Sequence, residues 1–169
     1  MDNDVEKHIE LVELTEADAE FIYNLVTQHS FIENIGDKGV TDLESAKQHL
    51  QERYITPYRE IGYGLWGIRD NRTSCIVGVC GLVTRPGFEI PDIGYSLLDE
   101  FCGNGYVATA AKKTLEFAKK HTNFSKINAI TSPENKRSQK VLEKLGFEFV
   151  KEFQLEGYDG ISILYQRAL

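Results

Sequence analysis

Cysteine is scarce in this chain, with only Cys75, Cys80 and Cys102 among 169 residues and no Cys-x-x-Cys pair. An odd, sparse set of this kind excludes a disulfide-stapled scaffold and fits reduced thiols inside a cell. Only 4 prolines are present, and no low-complexity tract, repeat or linker interrupts the sequence. The apolar runs last a few residues, far short of the ~20 that a membrane-spanning helix needs. Met1-Asp2-Asn3-Asp4 is acidic where a secretory leader is basic, so a cytoplasmic location is expected. The four histidines (His8, His29, His49 and His121) show no metal-ligand spacing, and no metal is expected. What remains is ordinary globular composition, 41% apolar and 27% charged with 14 glycines, at the size of one domain.

Charge of one sign is short as well. The formal net charge is −7, which argues against general binding of nucleic acid through its phosphates. The deficit is uneven. Residues 1–100 carry 8 basic against 19 acidic side chains, whereas residues 101–144 carry 9 against 3. An acidic front joined to a basic segment suggests two ligand surfaces, one for a cation and one for an anion. Drift in the composition of solvated faces would give the same tally.

Apolar and polar residues alternate over Ile9–Leu14, predicting a half-buried strand. Thr15-Glu-Ala-Asp18 reads as a capping box opening a helix to about His29, and residues 31–40 read as a loop. Thr41-Asp-Leu-Glu44 is a second such box, for a helix to about Tyr54. Strands over 62–68 and 74–83 flank the turn Asp70-Asn-Arg-Thr73, and Ile93, Tyr95 and Leu97 mark another. A helix is expected to run from the glycine loop to about His121. Then come a strand over Lys126–Thr131, a helix from Pro133 ended by Gly146, and a closing hairpin. This order predicts an α/β (α+β) fold, a mixed sheet of about seven strands with helices on both faces.

Two motifs carry chemistry. In Cys102-Gly103-Asn104-Gly105-Tyr106-Val107-Ala108, bare backbone lets phosphate oxygens approach the free N–H groups of a helix start, where the dipole also favours an anion. The same residues match a Gly-x-Gly-x-x-Ala dinucleotide fingerprint. Against a Rossmann site stand the four residues between strand and first glycine, and the lack of an acidic residue ending the next strand, where Thr131-Ser132-Pro133 occurs. The second motif, Asn135-Lys-Arg-Ser138, heads a helix with Asn135, Ser138, Leu142 and Leu145 along one stripe. Two polar groups there must find partners, either nearby backbone or a ligand.

Together, Gly-x-Gly-x-x-Ala, then a strand, then Pro-x-Asn-x-x-Ser opening a helix that ends Lys144-Leu-Gly-Phe147, resembles the GCN5-related N-acetyltransferase (GNAT) superfamily. Ile93-Gly-Tyr-Ser-Leu97 is similar to a strand of its branch that acetylates ribosomal-protein N-termini and related small amines. The resemblance covers residues 62–153. It implies a mostly antiparallel GNAT sheet, with residues 1–60 on the acceptor side, 62–153 as the acetyl-CoA-binding core and 154–169 as a closing strand. It also implies N-acetyltransferase activity by direct attack, with acetyl-CoA as co-substrate and a peptide N-terminus, polyamine or other small cationic amine as acceptor. Cys102, Gly103, Asn104, Gly105, Tyr106, Val107 and Ala108 would hold the pyrophosphate. The main chain of Tyr95, Ser96, Leu97 and Leu98 would pair with the pantetheine arm, and Asn135 and Ser138 would fix it from the far side. Cys102 and Val107 depart from the usual loop residues, and Leu142 stands where many relatives carry a tyrosine acid, which leaves Ser138 as the acid for the leaving thiolate.

An attacking amine must lose a proton, and the developing oxyanion needs donors. Asp92, at the start of the Ile-Gly-Tyr strand and on one face with Ser96 and Leu98, is the first candidate for the base, acting through water, and Glu89 the second. Phe31, Ile35 and Tyr54 are placed near the acceptor, and the basic residues of 101–144 near the adenosine phosphates. Neither membrane nor nucleic acid is an expected partner, and the assembly is expected to be a monomer or homodimer. Two other readings stand beside this one: a coenzyme A-binding sensor without turnover, and a nucleotide-binding module.

Overall fold

The computed structural model describes residues 2–169, with side chains from Asp4 onward. Helix α1 (Asp2–His8), which no sequence pattern announced, leads into β1 (Ile9–Val12). The Thr15 capping box forms as expected, with Thr15 Oγ1 accepting from the Ala17 N–H and the Asp18 carboxylate from the Thr15 N–H at 2.8 Å. It opens a short 3-10 turn and then α2 (Ala19–Val26), whose stripe Ile22, Leu25 and Val26 is buried.

Helix α2 ends before His29 because Gln28 adopts an extended backbone, with φ −60° and ψ 143°. A further helix, α3 (His29–Asn34), then stands where a loop was expected, anchored by the buried Phe31. The second cap is Asp42 rather than Thr41, since the Asp42 carboxylate accepts from the Ser45 N–H at 2.8 Å. Helix α4 (Leu43–Leu50) runs on through one wide turn, Gln51–Ile55, into α5 (Thr56–Glu60). It outruns the expected end at Tyr54 because Leu50, Tyr54, Ile55 and Tyr58 all continue one buried stripe.

β2 (Leu65–Asp70), β3 (Cys75–Val83) and β4 (Asp92–Leu97) form an antiparallel meander. Helix α6 (Tyr106–His121), β5 (Lys126–Thr131), α7 (Lys136–Lys144), β6 (Glu148–Phe153) and β7 (Ser162–Ala168) complete the chain. The seven strands lie in the order β1-β2-β3-β4-β5-β7-β6, and only β4 and β5 run parallel.

Apolar residues on both sheet faces make two cores. Ile68, Cys80, Leu82, Ile93 and Ile127 meet α6 and α7 on one face. Trp66 and Val79 meet α2 to α5 on the other. Each fully buried aliphatic side chain among them stabilises the fold by about 1.5–3 kcal/mol. β3 carries glycine where its neighbours come closest: a Cβ on Gly78 would sit 2.4 Å from the Ser96 carbonyl oxygen of β4. No helix among the described residues is long and apolar enough to cross a membrane.

Candidate active site

The parallel pair β4–β5 is joined at one register position, Asp92 opposite Asn128. Asn128 holds that junction, with its N–H on the Pro91 carbonyl at 3.0 Å and its side-chain amide on the Ile90 carbonyl at 3.4 Å. Beyond it the two strands part. The Leu98 N–H donates to the Val77 carbonyl of β3 at 3.0 Å, so alternation turns the main-chain groups of Gly94, Ser96 and Leu98 toward β3. Those of Ile93, Tyr95 and Leu97 face the gap. The Leu97 carbonyl accepts from the Gln28 side chain. The expected four-residue pairing edge therefore narrows to both main-chain groups of Tyr95 and the Leu97 N–H, together with the Ile93 carbonyl. An extended ligand bearing amides fits such an edge as an added strand does.

The far end of the gap meets the glycine loop. The Cys102 N–H already donates to the Asp99 carbonyl at 3.2 Å, so it drops out of the expected anion cradle. The next six N–H groups, from Gly103 to Ala108, have no protein partner among the described residues, and the first helical bond of α6 is Thr109 N–H to the Gly105 carbonyl. Gly103 and Gly105 hold φ of +85° and +81°, a region that suits glycine, and a Cβ at either would enter open space. A row of free donors at the start of a 16-residue helix fits a pyrophosphate. Lys119 and Lys120 lie in the last turn of α6, about 20 Å along the helix axis from this end. They complement the helix dipole there.

The start of α6 is fixed from the β2–β3 turn, a contact that sequence reasoning missed. Tyr106 donates its hydroxyl to Asp70 at 2.6 Å, and Arg72 reaches the same carboxylate through Nε at 3.1 Å and Nη2 at 2.9 Å. The Arg72 guanidinium, helped by the Tyr106 hydroxyl and opposed by burial, holds the Asp70 carboxyl well below the usual carboxylate range.

On the α6/α7 face of the gap, the hydroxyls of Tyr95 and Ser138 lie 2.8 Å apart and join β4 to α7. Burial pushes the Tyr95 phenol up to about 12, so it stays protonated at neutral pH. Asn135 is the N-cap of α7, its side-chain oxygen accepting from the Ser138 N–H at 3.1 Å. Helix α7 therefore begins at Lys136 rather than at Pro133. The cap accounts for one of the two polar residues on the stripe, and losing it costs about 1 kcal/mol of stability.

Asp92 lies on the opposite face, buried to 3% exposure and gripped by Arg85 through Nε at 2.7 Å and Nη2 at 3.3 Å. Burial pushes its carboxyl up, and the guanidinium opposes that shift. Arg85 and Lys38 both stand over the Tyr158 ring, at 6.0 and 5.7 Å from its centroid. Burial raises the Tyr158 phenol, but the two cations outweigh it and hold the group below its ordinary value. Glu89, the second candidate base, is exposed.

A cleft of about 740 Å³ opens between α3, the start of α7 and the β6–β7 loop. Four carboxylates line it (Glu33, Glu134, Glu152 and Asp159) against Lys136 and Arg137. Phe31 and Tyr54, expected near an acceptor, belong instead to the core beneath α2 to α5. Ile35 packs against the same core, half-buried.

Residues 8–148 match the family described as Acetyltransferase (GNAT) domain. The uncharacterized protein YkkB of Bacillus subtilis is 36% identical over 96 residues, covering 54% of this chain and 56% of that protein. The chain thus spans little more than half the length of that relative. The uncharacterized N-acetyltransferase YoaA of the same organism is 26% identical over 149 residues, 88% of this chain and 82% of that protein. Among solved structures, an acetyltransferase from Agrobacterium tumefaciens superposes with a TM-score of 0.80 at 21% identity, covering 96% of this chain and 92% of that one. RimL, a ribosomal L7/L12 alpha-N-protein acetyltransferase in complex with coenzyme A, gives 0.78 at 20% identity, covering 98% of this chain and 96% of that one. With the family model matched over residues 8–148, this chain belongs to the GNAT acetyltransferase family.

Proposed function

We propose that this protein moves the acetyl group of acetyl-CoA onto a primary amine by direct attack. The acceptor is a peptide N-terminus, a polyamine or another small cationic amine, as in the ribosomal-protein N-terminus branch of the family. One observation carries the reading: a strand edge with free alternating C=O and N–H groups and a row of six free N–H groups at a helix start border the same gap. Coenzyme A bears amides on one stretch and a pyrophosphate on the next, and RimL holds it. The acceptor side is residues 1–60, and its α3 contributes Glu33 to the acidic cleft, which suits a cation.

Acetyl-CoA supplies a thioester carbonyl and a thiol leaving group. The N–H groups of Gly103 to Ala108 bind its pyrophosphate, and the main chain of Tyr95 and Leu97 orients its arm. Ser138, its amide capped by Asn135 and its hydroxyl beside Tyr95, donates the proton that the departing sulfur needs. Asp92, facing the acceptor helices, takes the proton of the amine through a water.

A thermal-shift comparison of acetyl-CoA, NADH and ATP tests the class. Acetyl-CoA at ~100 Kd should add about 2.7 kcal/mol, and the other two nothing. Protection by NADH or ATP alone would reject the proposal in favour of a nucleotide module. A mass-shift screen of cell metabolites and ribosomal proteins with acetyl-CoA then separates enzyme from sensor, since a sensor binds acetyl-CoA and acetylates nothing.

The role of Asp92 makes a pH prediction. A base works only when deprotonated, so kcat/KM should rise with pH through the Asp92 pKa, which burial places above the ordinary carboxylate value. Asp92→Asn should abolish this acidic limb. Arg85→Gln removes the cation that favours the charged carboxylate, and should move the limb to higher pH. Profiles unchanged in both variants would assign the proton to bulk water.

A further inference from the structure

Gln28 lies between α2 and α3, on the acceptor side, yet its side chain reaches the end of β4. Its Nε2 donates to the Leu97 carbonyl and to the Leu25 carbonyl of α2, both at 3.2 Å. Its Oε1 accepts from the Asp99 N–H at 2.7 Å. The orientation of the amide is unambiguous, because two carbonyls need donors and one N–H needs an acceptor. Pairing with the C=O of one residue and the N–H of the residue two places on is what a residue of an adjacent strand does. A second hook stands beside it: Ser30 of α3 donates its hydroxyl to the Asp99 carboxylate at 2.6 Å.

We propose that the Gln28 side-chain amide acts as a one-residue strand that closes the free edge of β4, and so sets where pairing with the amide-bearing arm of acetyl-CoA must stop. The inference rests on the acetyl-CoA reading above. Asn128 bounds the open edge at one end and Gln28 at the other. Between them remain the Ile93 carbonyl, both main-chain groups of Tyr95 and the Leu97 N–H, enough for an arm with two amides. Gln28 is therefore a positioning residue. It fixes the register of the arm by denying it the Leu97 carbonyl, and it fixes the strand end from which the glycine loop departs. Because α3 follows Gln28 directly and carries Glu33 into the acidic cleft, the same amide ties the acceptor side to the donor side.

Calorimetry with coenzyme A and with adenosine 3′,5′-bisphosphate, which lacks the amide arm, tests this in the wild type, Gln28→Ala and Gln28→Glu. The alanine variant should bind coenzyme A about tenfold more weakly, with bisphosphate binding within twofold of wild type. The glutamate variant keeps the acceptor for Asp99 but sets an oxygen against the Leu97 carbonyl. It should lose at least threefold for coenzyme A alone, and it serves as the test if the alanine variant does not fold. Hydrogen exchange should show α3 amides slowed by coenzyme A in the wild type and not in the variants. Equal weakening of both ligands would make Gln28 a support of the fold only, and unchanged coenzyme A affinity would overturn the proposal outright. A wild type that fails to bind coenzyme A would instead overturn the acetyl-CoA reading, and this inference with it.

Discussion

Gly81→Ala is expected to abolish the folded state at 25 °C. A Cβ at this position would lie 1.9 Å from the Gly64 carbonyl oxygen, 2.8 Å from its carbon and 2.9 Å from the Leu65 Cα. All three are backbone atoms, so no rotamer change relieves the clash. The Gly64 carbonyl is held in place by the Leu82 N–H at 3.1 Å, and β3 has neighbours on both sides. Overpacking that side chains can absorb costs about 1–3 kcal/mol. Here β2 and β3 must separate, a loss on the order of the whole 5–15 kcal/mol by which domains are stable. Gly87→Ala is the control. Its φ of +82° brings strain, but its Cβ meets only open space, and a cost of about 1–2 kcal/mol is expected. Urea titration followed by circular dichroism reads both, and an alanine at 81 that unfolds near the wild-type midpoint would refute the argument.

The second large effect is on turnover. If Ser138 donates the proton that the departing sulfur takes up, Ser138→Ala should lower kcat by ~10²-fold or more, the usual size of a general-acid contribution. KM for acetyl-CoA should change little. Tyr95→Phe removes the hydroxyl 2.8 Å from Ser138 Oγ and leaves the ring in place, so its own loss should be smaller. The two act as a unit, and the double variant should be no slower than Ser138→Ala alone. Losses that multiply would mean that Tyr95 works independently of Ser138. The proton is assigned to serine on geometry, because Asn135 and Tyr95 together fix Ser138 at the start of α7, and the tyrosine is assigned to orienting it.

Much of the fold was legible because it is written locally. The Thr15 capping box, the turn after Asp70, the alternation of Ile93, Tyr95 and Leu97, and the left-handed Gly146 each announce themselves within a few residues. Helix α3 was not legible, because its apolar content is little more than Phe31 and Ile32, and only the core beneath α2 decides that Phe31 is buried. The row of free N–H groups at the glycine loop was legible, since it lies in consecutive main-chain groups. The side chains around it were hidden. Asp70 meets Tyr106 from 36 residues away, Gln28 meets Asp99 from 71, and no periodicity carries such pairings. Asp92 could be named from its place before the Ile-Gly-Tyr strand, but its pairing with Arg85 needed the fold of the loop between β3 and β4.

Where β4 and β5 part, the sheet is in effect two panels, one of four strands and one of three, stitched at a single backbone bridge between Asp92 and Asn128. Under the proposed function the acetyl donor is the rest of the stitching, lying across the seam and bonded along it. It is then part of the architecture as well as a reagent. Each departure of spent coenzyme unpicks the joint, and between cycles the two panels are held by that bridge and by the helices packed across them.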